Sequence, residues 1–140
     1  MKKIITLSGM EAWSDYAPLV LRVATGIIFA FHGWQKLQGG LAGTAGLVQS
    51  IGFPMPELFA VLLIAAELGG GILLILGLFT RWSAIFTGFV ALVAVVLVHL
   101  PNGFSMATGG YEYVFLLLAA SIALVLSGGG KWSLDRTVLK

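Results

Sequence analysis

Four long apolar stretches set the strongest limit on what this chain can fold into. They lie at residues 17–37, 56–79, 82–100 and 111–128. Each is close to the roughly 20 residues that a helix needs to cross a hydrocarbon core of about 30 Å. Only 10% of the 140 residues are charged, whereas soluble domains carry about a quarter. We therefore predict one all-α integral membrane domain over residues 1–140, folded as an antiparallel bundle of four transmembrane helices.

The connections between these stretches agree with that topology. Residues 38–56 are too polar and glycine-rich to span a membrane, and their middle part, about 43–51, is expected to form a short interfacial helix in the first outer loop. FTRWS separates the second and third stretches and forces an antiparallel hairpin, and Asn102-Gly103 marks a turn before the fourth. SGGGKWSLD is expected to be a flexible exit from the fourth helix.

Lysine and arginine predict the orientation, because short cytoplasmic connections carry an excess of both. The side opposite the termini has Lys36 alone. The side of the termini has six basic residues: Lys2, Lys3, Arg81, Lys131, Arg136 and Lys140. Both termini are therefore predicted to be cytoplasmic, in a multi-pass protein of the inner (cytoplasmic) membrane.

The first apolar stretch contains three basic or titratable residues, Arg22, His32 and Lys36. At 100° per residue they share one face, about 120° wide, with small and aromatic residues. These further residues are Thr25, Gly26, Phe29 and Gly33. A charge at membrane depth is costly unless it is paired, hydrated or turned inward, so this face is expected to point into the bundle.

The other stretches add further polar groups. Glu67 is the only charge of the second stretch and falls near its middle, His99 ends a stripe of small residues on the third, and Glu112 begins the fourth. We predict that the polar groups converge in one ligand cavity inside the bundle, near the outer face. Its candidate ligand-binding residues are Arg22, His32, Lys36, Glu67, His99, Asn102 and Glu112.

Structural roles stay open for most of these residues. Arg22 can snorkel to the cytoplasmic end or neutralise Glu67, and Lys36 and Glu112 can be interfacial. The two histidines can be ordinary hydrogen-bonded residues of the bundle. Glu67 is harder to explain structurally, because an ionisable acid near the midplane is a functional candidate by default.

Six motifs, in chain order, resemble the DoxX family of small four-helix membrane proteins. They are LRVATGIIFAFHGWQKL, GFPMP, AELGGGILLILGLFTRWSA, NGF, GGYEY and GKWSLD. The resemblance implies a four-helix bundle with a redox connection. A related DoxD-type subunit belongs to a thiosulfate:quinone oxidoreductase, and other members associate with oxidative-stress and thiol-handling enzymes. The matching positions are Arg22, His32, Gly33, Lys36, Glu67, Gly70, Arg81, Asn102, Glu112 and Tyr113.

The first functional hypothesis is a membrane subunit of a quinone-linked or oxidative-stress-related redox system. His32 or His99 would hydrogen-bond a quinone carbonyl, and a catalytic proton relay would use Glu67 and Glu112, with His32 as a third member. The chain contains no cysteine and no flavin or iron–sulfur motif. The electron donor is therefore expected to be a soluble or membrane partner protein, and whether the chain is an enzyme by itself stays open.

Two alternatives use the same residues differently. His32 and His99 could ligate a b-type haem, or a divalent metal together with Glu67 or Glu112. Haem is less favoured than quinone because both histidines lie near the outer edge. In the other alternative the chain is a non-enzymatic scaffold or assembly partner, whose polar core only fixes helix register.

The expected partners follow from composition. The lipid bilayer surrounds the helices, a homo-oligomer is compatible with the sequence, and a solute transporter is disfavoured because four short helices include no clear broken helix. Nucleic acid is excluded as a partner, because the net charge is only +2 and the basic residues are scattered.

Overall fold

The computed structural model describes residues 8–138, and within this range the chain is all-helical, without strands. This confirms that the fold is all-α, as predicted. The orientation prediction also uses Lys2, Lys3 and Lys140, which lie outside the described residues. The helices are α1 (Ala17–Gln38), α2 (Leu41–Ser50), α3 (Pro56–Leu76), α4 (Thr80–Asn102), α5 (Glu112–Ser127) and α6 (Leu134–Val138).

Within the described range, three helices are long and apolar enough to cross a membrane. They are α1 with most of the 3-10 helix Ser8–Tyr16 that precedes it (Met10–Gln38), α3 and α4. The fourth apolar helix, α5, has 16 residues and is therefore about 24 Å long at 1.5 Å per residue. These four helices correspond to the four apolar stretches of the sequence, with ends that differ by up to three residues.

The long helices pack as antiparallel neighbours. α1 contacts α3 and α5, and α4 contacts the same two helices. The chain turns between α3 and α4 at Gly77, whose φ of 68° lies in the left-handed region that glycine adopts readily. We call the end of the molecule with this turn the tail end. The opposite end, where α1 and α4 finish and α5 begins, is the loop end.

Glycine allows α1 and α3 to approach closely. A Cβ on Gly71 would lie 2.7 Å from the carbonyl oxygen of Gly26, and one on Gly33 would lie 2.8 Å from the Cα of Leu68. Both distances are too short for a real side chain. Gly71 of ELGGG thus serves close helix packing, as small residues between membrane helices do.

A short helix is present at Leu41–Ser50, close to the predicted 43–51. It packs against the first half of α3, where Ala45 and Val48 form a buried cluster with Ala60. The side that carries Ala45 and Val48 is therefore covered by protein, whereas Leu41 and Leu47 are exposed. Its position relative to a membrane interface stays a prediction.

The residues after α5 fold back across the tail end, so the prediction of a flexible exit is wrong. The backbone N–H of Asp135 donates to the Gly77 carbonyl over 2.9 Å, and Lys131 N–H donates to the Asp15 carbonyl over 3.1 Å. The Asp135 carboxylate accepts from the backbone N–H groups of Phe79 and Thr80, over 2.6 and 2.9 Å. It thereby caps the start of α4, whose first N–H groups lack helical partners.

Candidate functional site

A buried ion pair joins α1 to the middle of α3. The Lys36 Nζ lies 2.6 Å from the Glu67 Oε2, and the two side chains are 22% and 8% exposed. An unpaired carboxylate at this depth would be strongly disfavoured, and the Lys36 ammonium removes that penalty. The pair leaves Lys36 partly open towards the outside of the protein.

The local backbone explains why these two residues meet. Gly33 lets α1 approach α3 beside Leu68, and Lys36 follows Gly33 by one helical turn while Glu67 precedes Leu68 by one residue. Glu67 also lies in a π-helical turn, Ala65–Gly69. Such turns insert one extra residue into a helix and occur frequently at functional sites.

Arg22 is fully buried at the tail end and bonds only to backbone carbonyls among the described residues. Its Nε donates to Gly129 over 3.0 Å and its Nη2 to Trp132 over 2.9 Å. Its Nη1 donates to Leu74 over 3.0 Å and also to Ile75. Leu74 and Ile75 belong to the last turn of α3, where carbonyls run short of helical partners, although the Leu74 carbonyl also accepts from the Gly77 N–H over 3.1 Å. The predicted alternative in which Arg22 neutralises Glu67 is therefore wrong, because Lys36 holds that position.

Three other predicted residues bond to the backbone of the loop between α4 and α5. The His99 Nδ1 donates to the Gly109 carbonyl over 2.8 Å, and the Asn102 amide donates to the same oxygen over 3.2 Å. The Glu112 carboxylate accepts from the Met106 N–H over 2.9 Å. Within residues 8–138, no hydrogen bond connects this group to Lys36 or Glu67.

His32 lies half-buried on α1, with its ring edge-on to Phe31 at a centroid distance of 6.5 Å. No group of three or more His, Asp or Glu side chains in the described range is arranged to hold a metal ion. The alternative of a haem or metal between His32 and His99 stays a prediction. The His99 ring has only its Nε2 left for such a role.

Two cavities lie away from the ion pair. An apolar cavity of about 340 Å³ opens between α2, α3 and α4, and its wall includes Val48, Phe53, Phe59, Ala66, Phe86 and Phe89. A polar cavity of about 530 Å³ lies at the tail end, beside Thr80, Arg81, Gly129, Ser133 and Asp135. The polar cavity near the outer face stays a prediction.

A model of the DoxX family matches residues 17–100. The chain belongs to the DoxX family. It is 40% identical over 126 residues, 90% of each chain, to a Bacillus subtilis (strain 168) protein named "Putative oxidoreductase CatD". It is also similar to two Escherichia coli (strain K12) proteins. "Inner membrane protein YqjF" is 30% identical over 94% of this chain and 98% of its own, and "Inner membrane protein YphA" is 33% identical over 84% and 87%. No solved structure matches.

The structure of this DoxX membrane protein also reveals residues that the sequence interpretation missed. Asp135 and the carbonyls around Gly129 hold the tail end together, and no local pattern indicates contacts with residues more than 50 positions away. Buried hydroxyls on α4 were missed as well. Thr80, Ser83 and Thr87 follow the spacing i, i+3, i+7, which predicts one shared helix face, so here the signal was available.

Proposed function

We propose that this DoxX-family chain is a four-span membrane subunit of a redox system. It lies in the inner (cytoplasmic) membrane with both termini in the cytoplasm, and it binds a quinone at the Lys36–Glu67 pair. The single observation that carries the proposal is that pair, a partly open cation beside a buried carboxylate on a π-helical turn. The name of the Bacillus subtilis relative supports the redox connection.

Charge placement supports the proposed orientation. Among the described residues, the basic side chains outside the bundle core lie at the tail end; they are Arg81, Lys131 and Arg136. Short cytoplasmic connections carry an excess of lysine and arginine, which favours the tail end as the cytoplasmic side. Lys36 is the exception, and its ammonium is turned towards Glu67. The tail end therefore faces the cytoplasm, and the ion pair is open towards the outer side.

The chemistry of the pair suits a quinone. Reduction to a hydroquinone takes up two electrons and two protons. The Lys36 ammonium can donate to a quinone carbonyl and stabilise the negative charge that electrons bring to that oxygen. Glu67, released from Lys36, can then hold a proton for transfer. The electrons come from a partner protein, because the chain has neither cysteine nor a recognisable flavin or iron–sulfur motif.

A binding titration tests the proposal. We expect purified wild-type protein to bind a short-chain quinone such as ubiquinone-1. Lys36→Met should weaken that binding about tenfold or more, because it removes a hydrogen bond from a charged group to the quinone carbonyl, which contributes about 1.5–3 kcal/mol. Glu67→Gln should weaken the binding as well, because the Lys36 ammonium then loses the carboxylate that positions it. Glu57→Gln is the matched control, since Glu57 is exposed at the start of the same helix.

Two results would contradict the proposal: no quinone binding by folded wild-type protein, or equal binding by all four proteins. Loss of thermal stability in Lys36→Met without any quinone binding would favour the scaffold function instead. In that case the ion pair only fixes how α1 sits against α3.

A further inference from the structure

A row of buried hydroxyls runs along α4 from the tail end towards the level of Glu67. Thr80, Ser83 and Thr87 share one helix face and are 0%, 2% and 0% exposed. Their positions follow one another along the helix axis at about 4.5 and 6 Å, from the rise of 1.5 Å per residue. Successive hydroxyls in such a row are close enough to be linked directly or through single water molecules.

The upper end of the row reaches the turn of α3 next to Glu67. The Thr87 methyl group lies 3.0 Å from the point that a Cβ on Gly70 would occupy, and Gly70 follows Glu67 by about one turn. Ser121 of α5 is fully buried against the next residue of α4: its Cβ lies 3.1 Å, and its Oγ 3.8 Å, from the point that a Cβ on Gly88 would occupy. Glycine in both places lets the hydroxyl-bearing residues Thr87 and Ser121 pack directly against the neighbouring helix.

The lower end of the row reaches the polar cavity at the tail end. Thr80 and Gly129 both line that cavity, and the Thr80 Oγ1 lies 2.7 Å from the point that a Cβ on Gly129 would occupy. Ser133, also buried, lies against the same glycine. The row therefore begins beside a space that, in the proposed orientation, opens to cytoplasmic water.

Two hydroxyls of the row, and that of Ser121 on α5, lack a protein partner. Within the described residues, Thr80 Oγ1, Ser83 Oγ and Ser121 Oγ make no hydrogen bond, although all three are buried. Thr87 alone is satisfied, by the Ser83 carbonyl at 3.0 Å. An unsatisfied buried hydroxyl costs about 1–3 kcal/mol, and lipid offers no replacement partner. Three such groups along one route indicate that the route binds water.

We propose that this row is a hydrated path through which protons reach Glu67 from the tail end. A hydroxyl both accepts and donates a hydrogen bond. An oxygen of the path can therefore receive one proton while it passes the proton it already carried to the next oxygen, and the path itself is chemically unchanged. The net step moves one proton from water in the tail-end cavity to the Glu67 carboxylate. The role of Glu67 rests on the proposed function, whereas the hydration of the path does not depend on a quinone.

Single cysteines test the path, because the natural chain has none. We choose Ag⁺ as the probe, since it is small and reacts with thiols in water. Ser83→Cys and Ser121→Cys are compared with Ala84→Cys and Leu124→Cys, two apolar positions that are equally buried in the same helices. The protein is reconstituted in chloride-free nanodiscs, and protection from later alkylation is read by mass spectrometry.

We expect the two serine positions to react about tenfold faster than the apolar controls, because the controls react only when the bundle opens locally. In everted membrane vesicles, where the tail end faces the added Ag⁺, Ser83→Cys should react faster than in right-side-out vesicles. Equal rates at the serine and apolar positions would overturn the path. Faster reaction from the loop end would overturn its direction.

The two proposals can fail separately. Reactive serine positions without quinone binding would leave the hydrated path standing and remove the redox function. Quinone binding lost in Glu67→Gln, together with serine positions no more reactive than the controls, would support the function and remove the path.

Discussion

At the scale of single residues, the buried Arg22 and the partly buried Lys36 illustrate two ways of satisfying a charge inside a membrane protein. Lys36 is paired with a carboxylate. Arg22 donates to backbone carbonyls at the end of α3 and in the tail that follows α5. The C-terminal end of a helix carries partial negative charge, so the last turn of α3 attracts the Arg22 guanidinium. Its planar fork reaches several carbonyls at once. Arg22 is thus placed to hold the tail against the bundle.

We therefore predict that Arg22→Met destabilises the protein by about 3 kcal/mol or more, because it leaves several buried carbonyls without donors. Arg81→Met is the control. Arg81 is exposed and makes one hydrogen bond, to the Val125 carbonyl, so its loss should cost less than about 1 kcal/mol. Thermal unfolding in nanodiscs measures both, and equal losses would contradict the role given to Arg22.

At the scale of helices, the periodicity of the sequence predicts which face of a helix is buried, but it does not predict how far two packed helices are displaced along their axes. The buried face of α1, which includes Arg22, Thr25 and Phe29, is the one that helical spacing indicated. Spacing does not determine how far α1 is displaced along α3. That displacement places Gly33 opposite Leu68, which brings Lys36, and not Arg22, to Glu67. The π-helical turn that carries Glu67 likewise has no periodic signature in the sequence.

The close contact of α1 and α3 leads to a second prediction. Gly71→Ala should destabilise the protein by about 1–3 kcal/mol, the usual range for overpacking a tight contact, because the new Cβ would meet the backbone of Ala30 and Gly26. Gly69→Ala is the matched control in the same helix, where a Cβ meets nothing within 4 Å. If both variants have the same thermal stability, the close approach is not important for the fold.

At the scale of the whole molecule, the all-helical fold could be predicted from the sequence, but the packing of the residues after α5 could not. Folding of the tail onto α3 and α4 depends on contacts between residues far apart in sequence, such as Asp135 with Thr80. Composition indicated only glycine-rich flexibility. The candidate site was predicted in part. Lys36 and Glu67 were among the chosen residues, whereas His99, Asn102 and Glu112 bond to their own loop.

The proposed orientation can be tested with single cysteines in the otherwise cysteine-free chain. Ala107→Cys lies in the exposed loop between α4 and α5, and Thr137→Cys lies exposed in α6. We expect a membrane-impermeant maleimide to label Ala107→Cys in intact spheroplasts, and Thr137→Cys only after the membrane is opened. The reverse pattern would place the tail end outside, and labelling of both in intact spheroplasts would contradict a membrane-spanning α5, the one helix between the two positions.

The most direct test of the central claim is photo-crosslinking with an azido-quinone, followed by peptide mass spectrometry. If the Lys36–Glu67 pair is the quinone site, crosslinks fall near the end of α1 and in the π-helical turn of α3, and Glu67→Gln removes them while Glu57→Gln does not. Crosslinks confined to the apolar cavity beside Phe53 and Phe89 would mean that a lipid-like chain binds there instead. That result, unchanged in Glu67→Gln, would contradict a quinone site at the ion pair.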